Sequence, residues 1–130
     1  MKKLGLAMGL ALLALVGTCV VFVARATPEK SRLDARNRAG AERIVAALES
    51  FRADAGVYPA HLGELVPATL AGLPRQSRWA DGGEPSDFSY EPAADRKRFE
   101  LGYQEVPLGS FAGGGYRYDS ANREWTLIPD

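Results

Sequence analysis

Few side chains in this chain have the types and spacing that catalysis needs. The single histidine, His61, stands three residues before Glu64, which suits a base and its orienting carboxylate. A catalytic reading also wants a nucleophile, and this pair alone does not supply the remaining geometry. A surface histidine at the start of a short helix accounts for both residues. The single cysteine, Cys19, lies in an apolar run, so no disulfide and no Cys/His zinc set can form within the chain. Gly113-Gly114-Gly115 is followed by a strand pattern and no Gly-Lys-Ser/Thr, so it reads as a hairpin connection rather than a phosphate loop. Asp81, Asp87 and Asp119 are scattered, whereas calcium wants about six to eight oxygens from a pre-arranged loop. No catalytic residue, cofactor or metal ligand is assigned. The residues suited to partner contact are Trp79, in a loop rich in Gly, Pro and charge, and Arg32 and Arg36, with Arg38, on a charged helix face. Each has a plainer account: a Trp folded back over a sheet, and a solvated helix face.

Length and charge narrow the class. A chain of 130 residues and 14.0 kDa has room for one small domain. Lys plus Arg equals Asp plus Glu at 16 each, which argues against nucleic acid as a partner. Hydrophobic residues at 46% exclude a wholly disordered chain.

The elements that position these residues begin with Lys2 and Lys3, then 21 uncharged residues from Leu4 to Ala24. At helical rise that run spans about 31 Å, close to the ~30 Å hydrocarbon core. Residues 1–26 therefore read as a membrane anchor or signal segment, and 27–130 as the domain it carries. Length favours a retained anchor that meets membrane lipid through residues 4–24. The competing reading is a signal peptide cut before Thr27, since Ala24-Arg25-Ala26 is an A-x-A site; it would release a soluble binding domain. Lys2 and Lys3 favour a cytoplasmic N-terminus, although Arg25, Lys30, Arg32, Arg36 and Arg38 crowd the other flank. The expected location is the inner membrane, single-pass, with the C-terminal domain in the periplasm.

Thr27-Pro28 reads as an N-cap with proline at the first helical position, and Ser31-x-x-Asp34 as a second start. Ile44, Leu48, Phe51 and Ala55, widened by Ala41, Val45 and Ala47, form the apolar stripe of an amphipathic helix. Gly56 suits a left-handed C-cap, and Gly40 marks a bend, a close approach or a tolerated glycine. His61 to Leu70 reads as a short helix broken by Pro67, and Pro74 to Asp87 as loop. Four alternating stretches follow, marked by Phe88/Tyr90, Phe99/Leu101/Tyr103, Tyr116/Tyr118 and Trp125/Leu127. Turns are expected at Ala93-Ala94-Asp95-Arg96 and Ala121-Asn122. The class is α+β, a hydrophobic helix continuing into an amphipathic one packed on an antiparallel sheet of about four strands.

A basic tip, an apolar run, an amphipathic helix and a small antiparallel sheet, in that order, resemble a type IV pilin-like protein, closest to the pseudopilins of type II secretion. The stretch from Ala47 to Pro59, ending Gly56-Val57-Tyr58-Pro59, resembles the helix exit of major-pseudopilin domains. Leu62-x-x-Leu65-Val66-Pro67, Leu70-x-x-Leu73-Pro74, Phe88-Ser89-Tyr90 and Tyr116-Arg117-Tyr118-Asp119 extend the likeness, and Pro28 matches a proline common just beyond the span in pilins. The leader-peptidase motif of the family, Gly-Phe-Thr/Ser-Leu-Ile-Glu, is absent: Gly5 precedes Leu6, Gly9 precedes Leu10, and no Glu follows at the fifth position. The resemblance implies a non-enzymatic assembly component that associates with other pilin-like subunits or secretion-system proteins.

Overall fold

The computed structural model describes residues 30–77, 85–105 and 114–129. Expectations for the apolar run with Cys19, for Thr27-Pro28, and for Trp79, Asp81 and Gly113 fall outside those residues.

Residues 30–55 are helical, which puts Ser31 inside the helix rather than at its start. This helix, α1, buries Ala41, Ile44, Val45, Ala47 and Leu48, with Phe51 partly buried. Ala55, the last helical residue, is exposed, because the stripe runs past the edge of what it packs on. Gly56 ends the helix at φ +82°, a conformation that favours a residue without Cβ, and its N–H donates to the Arg52 carbonyl at 2.7 Å. Gly40 is a close approach: a Cβ there would meet Phe88 Cζ and Pro74 Cβ, each at 3.3 Å.

The helix lies on a four-stranded antiparallel sheet, so the fold is α+β. The strands are β1 (Ser89–Pro92), β2 (Phe99–Gln104), β3 (Gly115–Asp119) and β4 (Glu124–Ile128), in the order β1-β2-β3-β4. Each strand pairs with the next in sequence, and β1–β2 and β3–β4 are joined by short turns. Arg96 and Arg123, at φ 53° and 58°, take the left-handed positions in the β1–β2 and β3–β4 turns.

Register makes one face aromatic. Leu101 pairs with Tyr90 on one side and Tyr118 on the other, Tyr118 with Trp125, and Tyr103 with Tyr116. The Phe99 ring meets Tyr58 edge-on at 4.7 Å and lies 5.8 Å from both Tyr90 and Tyr118. Such ring pairs add to what area burial alone provides.

The helix exit is tied to the sheet through Tyr58 and Pro59. The Tyr58 N–H donates to the Arg96 carbonyl, and the Tyr90 hydroxyl donates to the Pro59 carbonyl at 2.7 Å. The Tyr58 hydroxyl donates back to Glu49 at 2.8 Å and accepts from Arg52 at 3.1 Å. Burial, and then the neighbouring Glu49, push the Tyr58 phenol up against the opposing pull of Arg52. Gly-x-Tyr-Pro is thus the junction where helix, β1 and the β1–β2 turn meet.

Beyond it, only Leu62–Leu65 forms a helical turn, of the 3-10 type, and Val66 has already returned to extended backbone. The short helix expected from His61 to Leu70 and broken by Pro67 is confined to this turn, since Pro67 disfavours helical backbone at the residue before it. Two buried polar side chains hold the loop that follows. Asn37 on α1 accepts from the Ser77 N–H at 2.7 Å and donates to the Ser77 carbonyl at 3.2 Å. Gln76 accepts from the Gln104 N–H and donates to the Asp87 carbonyl, joining the loop to β1 and β2.

Candidate interaction surface

Helix and sheet turn opposite sides to solvent. On α1, Arg32 and Arg36 are exposed, and Arg43 shares their bearing. At about 100° per residue the three guanidinium stems fall within about 40° of one another. Ala35, Ala39 and Ala46, also exposed, lie along the same stripe. Among the described residues, no carboxylate forms an ion pair with any of the three arginines. Arg43 carried no separate signal in the sequence beyond its spacing of seven from Arg36.

The remaining helix cations are engaged. Arg38 pairs with Glu42 at 2.9 Å and lies 4.2 Å over the Trp125 ring, whose Nε1–H donates to the same Glu42 at 3.0 Å. Burial works against the Arg38 charge, but its bonds to Glu42 and Tyr103 outweigh that and hold its pKa above the ordinary arginine value. This cluster fastens α1 to β4. Lys30 bridges Asp34 at 2.6 Å and Glu105 at 2.8 Å, fastening the helix to the end of β2. The expected arginine trio therefore divides: Arg32 and Arg36 face outward, and Arg38 is structural.

The outward face of the sheet carries carboxylates. Glu91 pairs in register with Glu100, Glu100 with Asp119, and Asp119 with Glu124, so each strand contributes one to a single cross-strand row. Like charges placed opposite one another oppose sheet formation. Arg117 approaches Glu100 at 3.7 Å, exposed Arg98 lies beside the row, and Asp119 also accepts the Ala121 N–H. The row was not legible in the sequence, because period two identifies a face but not the register that aligns its members.

Beside the row a cleft of about 470 Å³ opens between Gln76, Ser89, Gly102, Gln104, Arg117 and Ile128. Glycines keep it bare. A Cβ on Gly102 would lie 2.6 Å from Ser89 Oγ, and one on Gly114 would lie 2.5 Å from the Ile128 carbonyl oxygen.

His61 is exposed, and its Nδ1 lies 3.2 Å from Glu64 Oε2. That same oxygen accepts the His61 and Ala60 N–H groups at 3.1 and 2.6 Å. The His61 N–H, and then that of Ala60, hold the Glu64 carboxyl below the usual range, so the pair serves as a helix cap. Among the described residues no group of three His, Cys, Asp or Glu side chains is placed to hold a metal ion, and no helix is long and apolar enough to cross a membrane. The surface thus offers exposed charge on the helix and on the sheet, and a cleft beside the carboxylate row. No protein-family model, curated protein or solved structure matches this chain.

Proposed function

We propose that this protein is a membrane-anchored, pseudopilin-like assembly component of a type II secretion or type IV pilus-like system, acting by protein–protein association rather than by chemistry. The carrying observation is the joint order of sequence and fold. An apolar run of membrane-spanning length leads toward a helix that lies across a four-stranded antiparallel meander. The exit of that helix, Gly56-Val57-Tyr58-Pro59, is the stretch that resembles pseudopilins, and it ties helix to sheet. The anchor tethers the head in the inner membrane, and the head presents its charged faces in the periplasm.

Membrane fractionation with protease protection and N-terminal sequencing of the extracted protein tests this reading. The expected result is a carbonate-resistant membrane protein with a protease-accessible periplasmic head, released when Leu12 and Leu15 are replaced by Asp. A soluble product beginning at Thr27 overturns the anchor. That outcome supports an exported binding domain instead, a reading favoured by the glycine-bared cleft on the sheet.

A further inference from the structure

We propose that the arginine face of α1 docks on the carboxylate row of a second copy of this chain, giving a head-to-tail contact. The contact belongs to the association proposed above and rests on that reading. Three matches between the two faces carry it.

The first is sign. Arg32, Arg36 and Arg43 are exposed with no ion-pair partner among the described residues, and Glu91, Glu100, Asp119 and Glu124 form the opposing row. Arg117 pairs with Glu100, and among the described residues Glu91, Asp119 and Glu124 are in no ion pair. The second is length. Arg32 to Arg43 spans about 16 Å along the helix at 1.5 Å per residue. Four carboxylates on adjacent strands span about 14 Å at strand spacing. A helix laid across the strands thus sets Arg32 and Arg36 about 6 Å apart over neighbouring carboxylates and Arg43 about 10 Å further on, near the far end of the row. The third is shape. Ala35 and Ala39 lie between the arginines along the helix and Ala46 just past Arg43, so the exposed residues beside the cations there are small. Asp54, the next charge on this bearing, lies beyond the end of such a contact.

The two faces lie on opposite sides of one domain: α1 covers the aromatic face, and the row lies on the other. One copy cannot satisfy its own pair. Association between unlike faces is heterologous, so it propagates along a chain of copies or closes into a ring. It also explains why a sheet retains like charges in register, since a facing helix neutralises them. Close approach removes water from the pairs, and salt weakens the encounter.

The test uses full-length protein in detergent micelles and measures association by light scattering and sedimentation. One variant carries Arg36→Glu with Arg43→Glu, and a second carries Glu100→Lys with Asp119→Lys. Each alone is expected to weaken self-association by about tenfold or more. Mixing them restores it, because each variant's reversed face meets the other's. Circular dichroism checks that both are folded, and Arg43→Ala with Glu124→Gln gives a milder pair if either is not. Wild-type association that neither variant weakens, or a mixture no stronger than its parts, overturns this contact and leaves the assembly reading standing. A wild-type chain that stays monomeric up to the highest micellar concentrations overturns this contact, whereas a soluble product in the fractionation experiment overturns the reading it rests on. Arginine variants that lose only binding to anionic phosphatidylglycerol vesicles also overturn the contact and assign the face to lipid headgroups.

Discussion

Along β2, Phe99, Leu101 and Tyr103 turn inward and are buried, while Glu100, Gly102 and Gln104 between them reach solvent. Alternate residues of one strand thus serve two surfaces with different demands. The inner surface needs volume and ring geometry, because α1 and the Tyr58 junction close over it. The outer surface carries like charges in register and glycines where a Cβ would collide. Stability resides in the first. The second tolerates arrangements that weaken an isolated sheet.

The contrast is most directly challenged by truncating the inner face. Phe99, 1% exposed, touches three other rings, and Phe99→Ala is expected to cost about 3–5 kcal/mol. Thr126→Ala on the outer face should stay within about 0.5 kcal/mol. Urea unfolding midpoints measure both, and equal losses would abolish the distinction. Next in size is the Asn37 latch. Asn37→Ala leaves the Ser77 N–H and carbonyl without that partner and is expected to cost about 1–3 kcal/mol. Asn37→Asp keeps the acceptor alone and should fall between the two. If Asn37→Ala unfolds at the wild-type midpoint, the latch contributes nothing.

The glycines give a comparable but more selective effect. Gly114→Ala puts a Cβ 2.5 Å from a backbone oxygen, and the expected cost is about 1–3 kcal/mol. Gly72, with nothing within 4 Å, should accept Ala without loss. Thermal melts of the two variants should separate, and coincident melts would mean that the cleft is not held open by the bare backbone. Smaller still is relief of the carboxylate row. Glu91→Gln should stabilise the monomer by about 0.2–1 kcal/mol at low salt and by less at high salt. A destabilised variant would show that Glu91 is already compensated.

The smallest effect is a pH dependence at the helix–sheet rim. Burial lowers the Lys30 pKa, but the hydrogen bonds it donates to Asp34 and Glu105 outweigh it and leave the group above its ordinary 10.5. A raised folded pKa means that the contribution is fully present below pH 10.5 and lost as pH rises through the higher folded value. Burial raises the Tyr58, Tyr90 and Tyr118 phenols too, so wild type and variants alike weaken in alkali. Lys30→Met should weaken less steeply over that range in melting-temperature scans. Parallel curves would remove Lys30 from the account.

Much of this architecture can be argued from local pattern. A stripe at helical spacing anticipates the burial of Ala41, Ile44 and Leu48, and Gly56 anticipates the left-handed end of α1. Alternation with turn residues anticipates an antiparallel sheet of about four strands, and the short turns after β1 and β3 leave those strands little choice but to pair with the next. These features depend on neighbours a few residues apart, so composition and period carry them. The division of the arginines does not: Arg36 and Arg38 look alike in sequence, and only the position of Trp125 assigns Arg38 to the helix–β4 cluster. The same holds for the Asn37 bond to Ser77 across 40 residues and for the Gln76 bridge between loop and sheet. It holds above all for the carboxylate row, whose members lie on four different strands. Each depends on where distant segments come to rest, and the free energy that sets that registry is the packing of the aromatic face against α1, which no short window of residues contains.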